Sequence, residues 1–278
     1  MPRHWIAYRL DLDPPFESFL VGSLWNWLHR ERGEGVLGRW FFLRYLDNGL
    51  HLRLRMQPAR NVLAERLAAD FVDFANRAEP AVRVTTQTYD RDTLAFGETR
   101  ESVLAELLHV ATSDIALRLL RGDGNGSANV RRWLPTAAAT AVLLRHSVAA
   151  SQLEHALAEW SAFADRTAGK MGLSTRTSGP AQRERQLSVL RAVEARMAAA
   201  LERDDGARRA IALLARVRNY GARGAFVATH ALHFFCNEMG LRMDEEGDMV
   251  ECLRTLFARE ENNADDATMA ARQMRQTA

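Results

Sequence analysis

Residues 40–55 contain the feature that most constrains the fold, two alternating runs separated by a tight-turn signal. The first run is Trp-Phe-Phe-Leu-Arg-Tyr-Leu, the turn signal is Asp-Asn-Gly, and the second run is Leu-His-Leu-Arg-Leu-Arg. An Asn-Gly pair favours a type I′ turn, because both central residues of that turn need a positive φ. The sequence therefore predicts a β-hairpin with Asn48-Gly49 as its two-residue loop.

The predicted loop also fixes which residues face each other across the hairpin. Arg44 would pair with Arg53, and Phe42 with Arg55. Because side chains alternate along a strand, one face should be apolar and the other cationic. The apolar face would carry Phe41, Leu43, Tyr45, Leu50, Leu52 and Leu54, and the cationic face Arg44, His51, Arg53 and Arg55. Two arginines directly opposite each other are unfavourable, so the cationic face is a candidate site.

The first ninety residues predict the order strand, helix, hairpin, helix, strand. Residues 5–12 alternate, residues 16–30 and 61–77 have apolar residues at helical spacing, and residues 82–89 are rich in β-branched residues. This order predicts a four-stranded antiparallel sheet with two helices on one face, a ferredoxin-like α+β fold. We expect the apolar first hairpin strand to be central, and the second sheet face to be covered by other elements or used for binding.

From residue 99 onward the periodicity is helical. The predicted helices cover residues 99–120, 130–168 with breaks near Pro135 and His146, 182–203, 207–220, 224–240 and 245–259. We expect one α+β domain over residues 1–260, with a sheet part in 1–92 and a helical part in 99–260, followed by a polar, disordered tail over 261–278. The stretch from Lys170 to Pro180, rich in Gly, Ser and Thr, is either an ordered loop over a site or a mobile lid.

Charge and composition narrow the functional classes. A net charge of +2 gives no argument for nucleic-acid binding. No apolar run approaches the roughly 18 residues of a membrane helix, and the start of the chain predicts a strand rather than a signal peptide. The two cysteines, Cys236 and Cys252, are too few for a disulfide framework or a zinc set. We therefore expect a cytoplasmic protein that needs neither a metal nor another cofactor.

Two further segments carry candidate residues. The predicted helix 224–240 places His230, His233 and Asn237 on one face, at i, i+3 and i+7. A His-x-x-His pair can begin a metal site, but no third ligand has matching spacing. The two histidines are therefore either core residues bonded to carbonyl groups or part of a polar site beside the sheet. The run Tyr89-Asp90-Arg91-Asp92 ends the last strand and by itself is typical of a turn.

Taken in this order, the segments resemble the C-terminal elimination domain of class I lantibiotic dehydratases and its stand-alone relatives in thiopeptide biosynthesis. The resemblance covers most of the chain, and the hairpin is its most specific part. The matching motifs are Trp5-Ile6-Ala7-Tyr8, the hairpin 40–55, Tyr89-Asp90-Arg91-Asp92 and His233-x-x-x-Asn237. The resemblance implies action on a ribosomally made precursor peptide, with a leader and a dehydrated core. It also makes the dehydratase subunits of the same pathway candidate partners.

Two departures from the family pattern narrow the expected reaction. The dehydratases eliminate glutamate from a glutamylated Ser or Thr, and in their motif Glu-Arg-Tyr-Gly the arginine helps to hold the departing glutamate. Here that place is taken by Leu94-Ala95-Phe96-Gly97, and Glu238 stands where an arginine often follows the late Asn. Apart from these two departures the motifs are kept, and a chain with this combination resembles the pyridine synthases of thiopeptide biosynthesis. These catalyse a formal [4+2] aza-cycloaddition between two dehydroalanines, followed by loss of water and of the leader peptide.

The resemblance also implies roles for individual residues. Arg53 and Arg55 would stabilise charge developing on an amide that shifts toward its iminol form. Proton transfer is expected from His51, His233 and Tyr89, and substrate contacts from Arg44, Arg91, His230 and Asn237. Two other functions remain open. One is a glutamate-eliminating subunit working with a separate glutamylating partner, and the other is a non-catalytic subunit that binds the leader peptide.

Overall fold

The computed structural model describes residues 4–13, 16–45, 49–78, 81–89, 100–122, 130–174 and 178–276. The chain divides into two compact units. The first comprises Met1–Arg132, Leu201–Leu214 and Ala231–Gly240, and the second Trp133–Ala200, Ala215–His230 and Leu241–Ala278. The expectation of one α+β domain over residues 1–260 stays a prediction.

A four-stranded antiparallel sheet forms the centre of the first unit. Its strands are β1 (Ile6–Asp11), β2 (Leu37–Tyr45), β3 (His51–Pro58) and β4 (Arg83–Gln87), in the spatial order β2-β3-β1-β4. This is the order of the ferredoxin-like α+β arrangement, so the predicted fold class is confirmed. The prediction that the first hairpin strand is central was wrong, because β2 lies at an edge. Its apolar side chains are buried by helices rather than by a strand on each side.

Two helices cover one face of the sheet. A π-helical segment, Phe19–Leu24, leads into α1 (Trp25–Gly33), and a 3-10 turn, Asn61–Leu63, precedes α2 (Ala64–Arg77). The Tyr8 ring stacks on Phe71 of α2 at 4.9 Å between ring centres. We call this side the helix-covered face; its strand residues include Tyr8, Leu10, Leu52 and Leu54, all at most 2% exposed. Period-2 alternation therefore places Arg9, Arg53 and Arg55 on the other side, which we call the arginine face.

The hairpin has a different register from the predicted one. Tyr45 pairs with His51, Leu43 with Arg53, and Phe41 with Arg55. This register does not fit the predicted two-residue loop, because β2 is shifted by one position against β3. Asn48 of that loop lies outside the described residues. Such a shift turns every side chain of the strand to the opposite face. The predicted Arg44–Arg53 pair was wrong, and Arg44 lies with Phe42 and Leu52 on the helix-covered side because this register buries Phe42 beside Leu54.

The remaining elements are helices. They are α3 (Arg100–Gly122), α4 (Val130–Ser147), α5 (Ala150–Lys170), α6 (Pro180–Arg203), α7 (Asp205–Val217) with a 3-10 turn at Arg218–Tyr220, α8 (Gly221–Met239) and α9 (Met243–Gln276). Pro135 lies inside α4, and the expected break there does not occur. The last helix continues to Gln276, through the expected disordered tail 261–278, because that stretch is rich in the strong helix formers Ala, Met, Arg and Gln.

Polar contacts join helices of the second unit. Trp160 of α5 donates its Nε1–H to Glu246 of α9 at 2.6 Å, and Ser161 donates to Glu251 at 2.6 Å. Ser178, at the end of the connection from α5 to α6, donates to Asp248 Oδ2 at 3.1 Å. This end of the Lys170–Pro180 stretch is thus anchored on α9. Among the helices described, none is both long enough and apolar enough to span a membrane.

The outer edge of β2 is satisfied by side chains, not by another strand. The Phe42 N–H donates to Ser113 Oγ of α3 at 3.1 Å. The Asn237 side chain of α8 accepts from the Arg44 N–H at 2.8 Å and donates to the Arg44 carbonyl at 2.8 Å. An unpaired strand edge is a liability that proteins cover or pair. Here the amide of Asn237 completes the ladder as a neighbouring strand would.

Glu238, the next residue of α8, connects α8 to α3. Its side chain is fully buried, and Oε1 accepts from Ser113 Oγ at 2.6 Å and Thr112 Oγ1 at 3.3 Å. Burial raises the pKa of this carboxyl well above its ordinary value, although the Ser113 and Thr112 hydrogen bonds act in the opposite direction. The neutral acid is therefore the favoured form. We call Ser113, Asn237 and Glu238 the edge clamp.

Arg44 extends the edge clamp on the helix-covered side. Its Nε donates to the Glu238 carbonyl at 3.1 Å, and its Nη1 lies 2.9 Å from Glu17 Oε1. Arg132 reaches the same oxygen at 2.9 Å. Gly240 ends α8 with a φ of +82°, and a Cβ there would lie 2.8 Å from Arg132 Nη1. The positive φ favours glycine at position 240, and the ion pair with Glu17 stabilises the charge of the half-buried Arg44.

Replacement of Asn237 by leucine is expected to destabilise the protein by about 1–3 kcal/mol, because the Arg44 N–H and C=O would lose their partners. Urea unfolding followed by circular dichroism measures the change. The matched control is Asn26→Leu, at an exposed position of α1, for which we expect a change within about 0.5 kcal/mol. Equal effects of the two substitutions would contradict the edge clamp.

Glu238→Gln is expected to remove part of the pH dependence of stability. The raised pKa means that the folded protein keeps this proton over a pH range in which the unfolded chain has released it. The free energy of unfolding therefore falls as pH rises through that range, by at most about 1.4 kcal/mol per pH unit from this group. As pH rises above the ordinary pKa of a glutamate, the stability of the variant relative to wild type should therefore increase.

The same titration on Glu202→Gln, at an exposed position of α6, is the control and should follow wild type. A difference between Glu238→Gln and wild type that stays constant with pH would contradict a buried neutral acid.

Candidate functional site

The arginine face of the sheet carries three arginines on two neighbouring strands. β3 places Arg53 and Arg55 two residues apart, and Arg9 of β1 lies directly opposite Arg53. The like-charge pair expected between Arg44 and Arg53 is thus formed by Arg9 and Arg53. Arg9 is also paired with Asp11 at 2.8 Å on the same strand. Sequence reasoning missed Arg9 because the pairing of strands distant in sequence cannot be read from either strand alone.

Arg55 is the buried member of this group. It is 8% exposed, its Nη1 donates to the carbonyls of Tyr8 and Leu54 at 3.1 Å each, and its Nη2 donates to Gln87 Oε1 at 3.3 Å. Burial, and then the charge of Arg53, lower the pKa of Arg55 to about 10. The guanidinium is therefore still charged at neutral pH, and its position is fixed by the sheet.

Arg53 is half-buried and is oriented by two rings. Its guanidinium carbon lies 3.6 Å from the centre of the Tyr45 ring, a cation–π contact. Its Nε donates to His51 Nε2 at 3.3 Å, and His51 Nδ1 lies 2.9 Å from the Gly49 carbonyl. Because a guanidinium only donates, Nε2 must accept and Nδ1 must carry the proton. His51 is fully buried, and its ring orients Arg53. Its part in proton transfer stays a prediction.

Tyr89 lies beside this face, at the end of β4. Its ring is 5.7 Å from that of Trp5, and the Arg55 guanidinium lies 5.8 Å from its centre. Its hydroxyl donates to Glu106 Oε1 of α3 at 2.6 Å. Glu106 is 8% exposed. The predicted site residues Arg53, Arg55 and Tyr89 are therefore brought together, and a carboxylate that the sequence analysis did not consider joins them.

Glu106 and His109 are the site residues that sequence reasoning missed. The prediction of helix α3 used only its apolar positions. A polar stripe was also present, at the i, i+4, i+7 and i+11 positions Ser102, Glu106, His109 and Ser113, and all four side chains are buried. Four buried polar residues on one helix face are uncommon unless they contact other polar groups. That stripe was the available signal.

His233 of α8 is connected to the arginine face through a series of rings. Its imidazole lies 5.2 Å from the Phe234 ring, Phe234 contacts His109 at 4.6 Å, and His109 contacts Phe41 at 5.6 Å. Phe41 is the cross-strand neighbour of Arg55. His233 is half-buried, which leaves part of its ring accessible to solvent. It is thus held near the site by α8, the helix that the edge clamp fixes.

The other predicted site residues have different positions. Arg44 lies on the helix-covered side, and the Asn237 amide is bonded to the Arg44 backbone, so the structure gives both a part in the edge clamp. His230 belongs to the second unit, where its ring stacks on Phe226 at 5.9 Å. Arg91 lies outside the residues that the structure describes. Within the described ranges, no group of three His, Cys, Asp or Glu residues could hold a metal ion.

Chemically, the arginine face can polarise a carbonyl group and transfer protons. Arg53 and Arg55 provide fixed positive charge, which stabilises a negative charge developing on a carbonyl oxygen. Tyr89 with Glu106, and His233, are groups that can donate or accept a proton. The aromatic rings of Trp5 and Phe41, in edge contact at 5.1 Å, form an apolar wall beside them. This combination suits chemistry on a peptide amide.

Comparison with solved structures shows the same fold in three proteins. The tRNA-dependent lantibiotic dehydratase MibB from Microbispora sp. 107891 matches with 19% identity and a TM-score of 0.60, over 95% of this chain but only 29% of MibB. TsrL matches with 15% identity and a TM-score of 0.57, over 94% of this chain and 96% of TsrL. TbtD, a pyridine synthase from thiomuracin biosynthesis, matches with 14% identity and a TM-score of 0.55, over 93% of this chain and 98% of TbtD.

Sequence comparison gives the family. No curated protein sequence matches this chain. The sequence profile described as lantibiotic biosynthesis dehydratase C-term matches residues 5–257, a range that includes the whole sheet and the helices α1 to α8. Because this match extends over most of its length, the chain belongs to the lantibiotic biosynthesis dehydratase C-terminal family.

Proposed function

We propose that this protein is a pyridine synthase of thiopeptide biosynthesis. It would join two dehydroalanines of a leader-bearing, azole-containing peptide by a formal [4+2] aza-cycloaddition, and then release water and the leader peptide. The proposal is supported by the fold that this chain shares with TbtD. The match covers 98% of the length of TbtD. At 14% identity, that likeness concerns the fold alone, so the reaction must be argued from the site.

The observation that carries the proposal is Glu106. Its buried carboxylate is bonded to Tyr89 on the face where Arg55 lies, and a glutamate leaving group would bring a second carboxylate to the same place. Like charges in a poorly solvated site repel strongly. The arginine that helps dehydratases hold glutamate is also replaced, by Ala95. A dehydrated peptide brings carbonyl groups instead of an added carboxylate, which suits this face.

Catalysis of the cycloaddition would depend mostly on positioning. Two distant dehydroalanines must meet, and holding them in a reactive geometry is worth up to about 7–11 kcal/mol. One amide must also shift toward its iminol form to complete the azadiene. Arg53, oriented by His51 and Tyr45, would donate to the amide oxygen, and the buried charge of Arg55 would stabilise the polarised amide. Tyr89 and His233 would transfer the protons.

Glutamate elimination is the second candidate function. The family match and the fold shared with the dehydratase MibB favour it, as do the arginines and the histidine of the matching motifs. The substrate of this reaction would be a glutamylated peptide, and this chain covers 29% of MibB. Release of free glutamate from a glutamylated peptide would support this function, and tight leader binding without any change in peptide mass would support a non-catalytic subunit.

The proposed function can be tested with a dehydrated, azole-containing precursor peptide and mass spectrometry. We expect an aromatised macrocycle and released leader, and no macrocycle when the protein is omitted. In the cell, the substrate would be the precursor peptide made in the cytoplasm, after processing by the dehydratase subunits of the pathway. Unchanged precursor after incubation with folded protein would contradict the proposal.

Arg53→Ala is expected to lower kcat/KM by roughly 100-fold or more, the usual cost of removing a donor that stabilises developing charge. Arg53→Lys should recover part of this loss, because it keeps the charge but not the planar fork that stacks on Tyr45. Arg60→Ala, at an exposed position after β3, is the control and should keep wild-type activity. Full activity of a folded Arg53→Ala variant would exclude Arg53 from the mechanism.

A further inference from the structure

Tyr89 and Glu106 form a hydrogen-bonded pair of two groups that can exchange a proton. The Tyr89 hydroxyl donates to Glu106 Oε1 at 2.6 Å, within the range of charge-assisted O–H···O⁻ bonds. The tyrosine is half-buried, so its ring is accessible from solvent, while the carboxylate behind it is 8% exposed. A substrate approaching the arginine face would thus meet the tyrosine first and the glutamate only through it.

The surroundings of the pair place it at the reacting end of the site. The Arg55 guanidinium lies 5.8 Å from the Tyr89 ring centre, and the ring of Trp5, the residue before β1, lies 5.7 Å from the Tyr89 ring. Glu106 reaches this point from α3, the helix that also contributes Ser113 to the edge clamp. A buried carboxylate costs free energy unless it is paired. A residue that only filled space at this position could have been apolar, like the neighbouring Ala105 and Leu108.

We propose that Glu106 is a positioning residue and the terminal proton acceptor for Tyr89, so that the two residues act as one proton relay. This inference rests on the proposed function, since it assigns the relay to the amide that becomes the azadiene. The substrate proton goes to the Tyr89 oxygen while the hydroxyl's own proton moves to Glu106 Oε1. Tyr89 therefore never carries a full charge, and the buried carboxylate becomes a neutral carboxylic acid.

The protons and electrons balance over three steps. In the first, the amide N–H proton enters the relay, the N–H electron pair forms the C=N bond, and the C=O π pair takes a proton from protonated His233. In the second, after ring closure, the relay returns its proton to the leaving hydroxyl, which departs as water, and a ring C–H gives its proton to His233 while its electron pair forms a new C=C bond. In the third, His233 gives its proton to the nitrogen of the leader amide, which departs with the C–N electron pair. His233 then takes the proton of a second ring C–H, whose electron pair forms the last C=C bond, so that both groups are restored.

The relay predicts how single and double substitutions combine. Glu106→Gln keeps the size and an acceptor oxygen but cannot take a proton, so we expect kcat to fall by roughly 10- to 100-fold with KM changed less than about twofold. Tyr89→Phe should cost at least as much. The double variant should be no slower than Tyr89→Phe, because groups acting as one unit are not additive. The control is Glu65→Gln, at an exposed position of α2, with wild-type kinetics.

A pH profile separates the relay from a merely structural contact. In the wild type, kcat should fall toward acid pH, because the relay needs an ionised carboxylate, and Glu106→Gln should lose this dependence. Rescue by Glu106→Asp to a rate between wild type and the glutamine variant would support an ionisable group at this position. Full activity of Glu106→Gln, or losses that multiply in the double variant, would overturn the inference.

A readout without substrate keeps this result distinct from the proposed function. The chain has four tyrosines, so ¹³Cζ-tyrosine labelling gives a spectrum in which Tyr89→Phe identifies the Tyr89 signal. We expect this signal to shift when acid protonates carboxylates, and to stop shifting in Glu106→Gln. If wild type processes neither a dehydrated nor a glutamylated peptide, the proposed function fails. The NMR coupling then decides the relay alone: its presence supports a shared proton, and its absence overturns it.

Discussion

The hydrogen bonding of the outer edge of β2 is the constraint on which the site depends. This strand is strongly apolar and lies at the edge of the sheet, so its outward N–H and C=O groups must be satisfied where the strand is buried. Ser113 and Asn237 supply the partners from two different helices, and Glu238 bonds to Ser113. The edge clamp therefore fixes α3 and the end of α8 against the sheet. Those are the helices that carry Glu106, His109 and His233.

Much of this architecture could be predicted from the sequence. Periodicity alone identified the four strands, the two helices on one face and the helical remainder, because a period of two and a period of 3.6 differ strongly over long segments. The predicted hairpin register was wrong. It rested on the preference of Asn48-Gly49 for a two-residue turn, whereas the burial of Phe42 beside Leu54 decides the pairing. Tertiary packing outweighed local turn preference, and Arg44 changed faces as a result.

The candidate site could be predicted in part. Arg53 and Arg55 were identified correctly as a pair on one face, since two residues two apart on a strand must share it. Asn237 was identified as a candidate substrate-binding residue, but its hydrogen bonds to the backbone of residue 44, far away in sequence, could not be predicted. Glu106 was missed because its hydrogen bond with Tyr89 forms only in the folded chain and cannot be read from α3 alone. Sequence patterns therefore predict which residues of one strand or helix share a face. They do not predict contacts between residues that are far apart in sequence.

We propose that this family member acts on dehydroalanines and not on glutamyl esters. A competition experiment separates the two substrates: the folded protein receives equal amounts of a dehydrated, azole-containing precursor and its glutamylated counterpart, and mass spectrometry follows both over time. We expect the dehydrated peptide to be converted to a macrocycle with release of leader and water, while the glutamylated peptide persists. Release of glutamate with the dehydrated peptide left unchanged would contradict it.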